Sequence, residues 1–103
     1  MKPKPSSKPL SEVALPGDLH VLCVQAREAK LVYEQVEEYF EHDLSLSAGD
    51  VVIDVGANIG LFSLALLRRE PELRIYAFEP IPVLFEALQG NAERHAGGRL
   101  GVF

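Results

Sequence analysis

The sequence predicts an α/β protein: an incomplete parallel sheet of two full βα units and the start of a third strand, preceded by a short strand and an amphipathic helix. Three observations support this class. An apolar run at residues 51–55 leads into a glycine-rich turn and a helical pattern, the same order repeats after residue 73, and a further apolar run begins near residue 99. Strands that alternate with helices are typical of parallel sheets with crossover helices.

The N-terminal part divides into two predicted segments. Residues 1–15 begin basic and rich in proline, so we expect a disordered leader. In the segment 16–50, Pro16-Gly17-Asp18 favours a turn, and Leu19 to Val24 is then predicted to form a short strand. From Ala29 to Glu41, apolar residues recur at spacings of three and four with glutamates opposite them, which predicts an amphipathic helix with a solvated acidic face.

Residues 51–103 carry the βα units. The run Val51–Val55 has an acid near its end and is typical of a central parallel strand that is covered on both faces. The following elements are a buried helix over Gly60–Arg69, a strand over Leu73–Phe78, a helix opened by Pro82 and ended by Gly97-Gly98, and a third strand starting at Arg99. Because sheets of this kind normally have five or more strands, we expect the chain to be the N-terminal part of a truncated domain.

The turn after the first strand has the composition of a ligand site. Gly56 and Gly60 permit backbone conformations closed to other residues and let a ligand approach the main chain. Asn58 tolerates a positive φ better than most residues. Asp54 places a carboxylate beside the same turn.

A second acid follows at the tip of the next strand. Glu79 lies 19 positions after Gly60, close to the roughly 20 residues between a glycine turn and a ribose-binding carboxylate in nucleotide-binding βαβ units. A carboxylate can accept from both hydroxyls of a ribose. We expect Glu79 at an exposed strand tip, where replacing it with alanine costs little stability.

The glycine pattern separates two cofactor classes. Dinucleotide sites use G-x-G-x-x-G, whose middle glycine lets a pyrophosphate approach, and Asn58 occupies that position here. Asp54 would repel phosphate and favour an ammonium group. S-adenosylmethionine, with a sulfonium, an amino group and a ribose but no phosphate, therefore fits better than NAD.

The stretch Asp54-Val55-Gly56-Ala57-Asn58-Ile59-Gly60, followed by Phe78-Glu79-Pro80, resembles the FkbM-type S-adenosylmethionine-dependent methyltransferases. Phe62-Ser63 and Asn91 also match, and the resemblance extends upstream to Leu31. It implies a Rossmann-like domain that methylates hydroxyl oxygens of small molecules or secondary metabolites. It also implies cofactor-binding roles for Asp54, Gly56, Asn58, Gly60 and Glu79, and a helix before the first strand that covers the pocket with Tyr33, Tyr39 or Phe40.

Composition limits the remaining function classes. A net charge of −5 argues against nucleic acid and anionic membranes as partners, and no apolar run approaches the roughly 18 residues of a membrane span. The single cysteine, Cys23, excludes an internal disulfide and a zinc cluster, and it is predicted to be a small buried hydrophobe. We expect no metal site and a reducing cytoplasmic location.

Catalytic residues cannot be named, because none of His20, His42 and His95 lies at a predicted strand tip. The residues that would flank the transferred methyl group and bind the acceptor come later in the resembled family, so we expect this chain alone to be inactive. Two alternatives stay open: half of an NAD-dependent oxidoreductase, and a non-catalytic module that pairs with another chain through an exposed strand edge.

Overall fold

The computed structural model describes residues 9–42 and 44–103. Its elements, in chain order, are β1 (Ser11–Leu15), β2 (Leu19–Cys23), α1 (Ala26–Tyr39), β3 (Val51–Val55), α2 (Leu61–Arg69), β4 (Arg74–Phe78), α3 (Pro82–His95) and β5 (Leu100–Val102). Each helix and strand predicted from the sequence is present, with bounds shifted by at most three residues. The α1 helix, for example, begins at Ala26 instead of Ala29.

The three later strands form one parallel sheet in the order β3-β4-β5. Helix α2 connects β3 to β4, and helix α3 connects β4 to β5. These are two complete βα units and a third strand, as predicted. The architecture is that of an incomplete Rossmann-like fold, in which the carboxyl ends of the strands share one edge.

The N-terminal region differs from the prediction. Residues 11–15 were expected to belong to a disordered leader, and they form β1, which pairs antiparallel with β2. The physical reason is an alternation of exposed and buried residues that places Val13 and Leu15 against the core at 8% and 4% exposure. Gly17 and Asp18 have positive φ values and close the hairpin. Residues 9 and 10 of the predicted leader are in no helix or strand, and residues 1–8 lie outside the described residues.

The β3 strand also departs from expectation, because one of its faces is open. The side chains of Val51, Ile53 and Val55 are 61%, 58% and 80% exposed. On the other face, Asp54 accepts a hydrogen bond from the Ser63 hydroxyl of α2. In the part of the chain that the structure describes, β3 pairs only with β4, so it is an edge strand and not a central one.

The core lies between the covered face of the sheet, the helices and the hairpin. Helix α2 supplies a nearly continuous buried surface, as its apolar composition predicts, and Cys23 of β2 is buried with 1% exposure. Burial raises the pKa of the Cys23 thiol. Among the described helices, none is both long enough and apolar enough to cross a bilayer.

Candidate cofactor site

The turn between β3 and α2 has the backbone geometry expected from its sequence. Gly56, Asn58 and Gly60 have φ values of +75°, +57° and +95°, all in the left-handed region. The Asn58 side chain supports its own conformation, since its Oδ1 accepts a hydrogen bond from the Ile59 N–H at 2.8 Å. The three predicted turn residues therefore have conformations that suit them.

The two predicted glycines serve different purposes. A Cβ on Gly56 would meet nothing within 4 Å, so the space beside it is open to a ligand. A Cβ on Gly60 would lie 2.8 Å from Leu88 Cδ1 of α3. Gly60 is therefore needed for close packing as well as for its φ, whereas Gly56 is needed for φ alone.

The backbone N–H groups of the turn donate to acceptors within the protein. Those of Gly56 and Ala57 both donate to the Phe78 carbonyl, at 2.8 and 3.0 Å, and that of Gly60 donates to the Ala57 carbonyl at 3.0 Å. The Asn58 N–H donates to Glu79 Oε1 at 2.8 Å. Together with the Ile59 bond, these contacts occupy every amide from residue 56 to residue 60, so none of them is free to cradle a phosphate.

The Glu79 side chain is buried and not exposed as we expected. Its exposure is 7%, and while Oε1 accepts from Asn58, Oε2 accepts from the Ile81 N–H at 3.0 Å. The Glu79 N–H also donates a hydrogen bond to the Phe103 carbonyl, so the residue after β5 lies beside the tip of β4 and helps to bury it. The carboxylate thus fastens the turn to the tip of β4, and it still has about two of its four lone-pair sites for another donor.

The Asp54 carboxylate is oriented by a residue that the prediction did not include among the site residues. Ser63, which is completely buried in α2, donates from its hydroxyl to Asp54 Oδ2 at 2.8 Å. The signal was a polar residue within an otherwise apolar helix, where a buried hydroxyl needs a partner. Among the described residues, no hydrogen bond reaches the other carboxylate oxygen, which can therefore engage a cationic ligand.

A cleft of about 420 Å³ opens over the turn. Asp54, Gly56 and Asn58 line it together, whereas Gly60 and Glu79 do not. Its other wall belongs to α1, which contributes the residues Val32, Gln35, Val36 and Tyr39. The volume is within the range of small-molecule sites, and the mixture of apolar walls with few polar groups is typical of them.

The α1 wall agrees in part with the prediction. Tyr39 lines the cleft and contacts Phe62 edge-on, with ring centroids 5.7 Å apart. Phe40 stacks on Phe62 behind the wall. Tyr33 lines a separate groove with Glu37, and burial, followed by that carboxylate, raises its pKa. Sequence reasoning missed Gln35, because a polar residue on an amphipathic helix gives no sign that it borders a cleft.

The three histidines do not line this cleft, and the described residues contain no cluster suited to a metal ion. His20 contacts Asp18 in the hairpin turn at 2.9 Å, and His95 contacts the His20 carbonyl. The described residues therefore favour a cationic, phosphate-free ligand, and none of the three histidines lines the cleft that would hold it.

Comparison with known proteins agrees with this geometry. No protein-family model matches the chain. The 31-O-demethyl-FK506 methyltransferase FkbM of Streptomyces tacrolimicus is 45% identical over 84 residues, which are 79% of this chain and 32% of that enzyme. Methyltransferase sdnD of Sordaria araneosa is 40% identical over 74 residues, which are 71% of this chain and 29% of that protein.

A solved structure shows the same fold. Phosphoethanolamine N-methyltransferase 2 of Haemonchus contortus, in complex with S-adenosyl-L-methionine, matches 67% of this chain and 16% of its own with a TM-score of 0.58 and 12% identity. The chain spans about a third of the length of each of these two curated relatives. The resemblance of this chain to the FkbM-type S-adenosylmethionine-dependent methyltransferases is therefore confirmed over most of its length, and its fold is that of an incomplete Rossmann-like domain.

Proposed function

We propose that this chain forms the cofactor-binding part of a methyltransferase that transfers a methyl group from S-adenosylmethionine to a hydroxyl oxygen of a small molecule. The observation that carries the proposal is the cleft over the turn, where Asp54, Gly56 and Asn58 meet the α1 helix. A small-molecule hydroxyl as acceptor rests on the similarity to the 31-O-demethyl-FK506 methyltransferase.

The charge of the site supports a sulfonium cofactor. Asp54 is the acid that lines the cleft, and its free oxygen suits the cofactor's amino group. Glu79 does not line the cleft and is 7% exposed, so it supports the site by holding the Asn58 N–H, and ribose binding by its remaining lone pairs stays a prediction. When bound, the cofactor supplies the methyl group to an attacking oxygen, while the chain contributes position and orientation.

The NAD alternative is less well supported. A pyrophosphate is normally held by free amides of the turn and the helix N-terminus, and the amides of residues 56–60 already have acceptors in the protein. The Asp54 carboxylate would also repel it. Similarity to methyltransferases favours the same conclusion.

The exposed face of the sheet supports a partner that completes it. Val51, Ile53, Val55, Phe78 and Phe103 are 40% to 80% exposed. Register places Val55 beside Phe78, and Phe78 stacks on Phe103 with centroids 5.1 Å apart, so the surface is continuous. The unpaired edge of β3 favours addition of further strands, and the apolar face beside it favours a further layer packed on the sheet. We propose that a partner polypeptide adds these strands at β3 and that the chain alone does not transfer methyl groups. We also propose that the chain acts in the cytoplasm.

Isothermal titration with S-adenosylhomocysteine tests the cofactor assignment. We expect binding by the wild-type chain, loss of about tenfold or more in affinity for Asp54→Asn, and no change for Glu93→Gln, an exposed acid on α3. NAD serves as the competing ligand. Binding of NAD alone, or no binding by a chain whose circular dichroism shows it to be folded, would contradict the proposal.

A further inference from the structure

A buried amide on α3 joins the N-terminal hairpin to the cofactor turn. Asn91 has 0% exposure and makes three hydrogen bonds to backbone groups. Its Oδ1 accepts from the Leu22 N–H at 2.7 Å, and its Nδ2 donates to the Leu22 carbonyl at 3.0 Å and to the Ile59 carbonyl at 2.8 Å. One side chain therefore contacts β2 and the turn, which are far apart in sequence.

The chemistry of these bonds makes an amide necessary at this position. Both hydrogens of the Asn91 Nδ2 and one lone pair of Oδ1 are used, so a carboxylate, a hydroxyl or an aliphatic side chain leaves at least one partner without a bond. A buried backbone group without a partner is costly. Packing alone would favour an apolar residue here.

A neighbouring glycine provides independent evidence for the contact of Asn91 with Leu22 and Ile59, which is called the joint below. Gly90 precedes Asn91, and a Cβ on it would overlap Leu22 Cδ1. Because Gly90 lacks that atom, α3 lies directly against β2. An exposed ion pair between Arg94 and Glu12 links the same helix and hairpin at 2.8 Å, but pairs of this kind contribute little to stability.

The turn residue that Asn91 holds belongs to the cofactor site. Ile59 lines the cleft and lies between Asn58 and Gly60, both of which have positive φ. We propose that Asn91 is a positioning residue for the cofactor, fixing the turn by its Ile59 carbonyl and making the hairpin β1–β2 part of the binding unit. The inference rests on the proposed function, and it adds that residues outside the βαβ unit determine cofactor affinity.

Hydrogen exchange measured by NMR tests the joint without any ligand. Asn91→Asp keeps the shape of the side chain and an acceptor for the Leu22 N–H, but the ionised carboxylate has no donor for the Leu22 and Ile59 carbonyls and places a negative charge beside them. We expect exchange of the Asn58, Ile59 and Gly60 amides to accelerate about tenfold, since the turn loses one buried hydrogen bond. The chemical shift of the Gly60 amide should also change, because this amide shares a peptide unit with the Ile59 carbonyl.

A second variant reaches the joint from the hairpin side and guards against misfolding of the first. Gly90→Ala places a methyl group against Leu22 Cδ1, so the Leu22 side chain must shift where α3 meets β2, and we expect faster exchange at the same three turn amides. The double variant Gly90→Ala with Leu22→Ala removes the overlap and should restore slow exchange. Arg94→Gln is the matched control, because it breaks a contact between α3 and the hairpin that does not reach Ile59.

Titration with S-adenosylhomocysteine then connects the joint to binding. Asn91→Asp and Gly90→Ala should each lower affinity about tenfold, with recovery in the double variant and no change in Arg94→Gln. Unchanged turn exchange in both folded variants would overturn the positioning role. If the wild type binds no S-adenosylhomocysteine, the proposed function fails, and the exchange measurements alone decide whether the joint exists.

Discussion

Removing the Glu79 carboxylate should destabilise the fold itself. In Glu79→Ala, the N–H groups of Asn58 and Ile81 lose acceptors at 2.8 and 3.0 Å. Each such loss costs about 1–3 kcal/mol when the group is buried, and the acceptor here is charged. Since Asn58 borders the open cleft, water can partly replace one of the two bonds. We therefore expect a decrease of about 2–4 kcal/mol in the free energy of unfolding.

The measurement is urea denaturation followed by circular dichroism. A loss of that size is a large part of the roughly 5–15 kcal/mol typical of whole domains, so the midpoint should move clearly. Glu79→Gln keeps one acceptor oxygen and should lose about half as much. Glu93→Ala, at an exposed position on α3, is the control and should stay within about 0.5 kcal/mol of the wild type.

The result that refutes this reasoning is a Glu79→Ala midpoint equal to that of Glu93→Ala. It would mean that water satisfies both amides and that Glu79 does not fasten the turn. A loss in Glu79→Gln equal to that in Glu79→Ala would instead show that the negative charge, and not the number of acceptors, provides the stabilisation.

Two further predictions concern the turn and the open sheet face. Gly60→Ala should lower the free energy of unfolding by about 2–4 kcal/mol, because it adds the overlap with Leu88 Cδ1 to the strain of a positive φ. Gly56→Ala adds only the strain of a positive φ and should cost about 1–2 kcal/mol. Equal urea midpoints for the two variants would contradict this difference. Without its partner, the chain should self-associate through β3. The Ile53 side chain is 58% exposed, so Ile53→Lys should cost little stability and should keep the chain monomeric, as measured by light scattering. A wild-type chain that stays monomeric at high concentration would argue against this surface.

The choice between local order and disorder at the N-terminus shows one limit of sequence reasoning. Basic and proline-rich residues at the start suggested a leader through residue 15, yet Val13 and Leu15 pack into the core. Their two-residue alternation is short, and its meaning depends on a partner strand with matching register. The pairing of Glu12 with Leu22 and of Val13 with Val21 supplies that register.

The interpretation of Glu79 shows a second limit. Spacing from Gly60 correctly placed an acid at a strand tip beside the turn, but spacing does not show what the carboxylate oxygens contact. The β5 end and the turn itself close over the tip and turn an expected surface residue into a buried one. Burial at such a point depends on elements that are distant along the chain.

The sequence by itself determined the order of strands and helices from β2 onward, the positive φ of Gly56, Asn58 and Gly60, and the similarity to FkbM-type methyltransferases. These depend on local patterns, because periodicity and backbone preference act over a few residues. Only the tertiary structure decided that Glu79 fastens the turn, that Asn91 bonds Leu22 to Ile59, and that one face of β3 is open. The two contacts join residues separated by long stretches of chain, and the open face depends on which elements pack against β3. Both kinds of feature exist only once packing has brought the elements together.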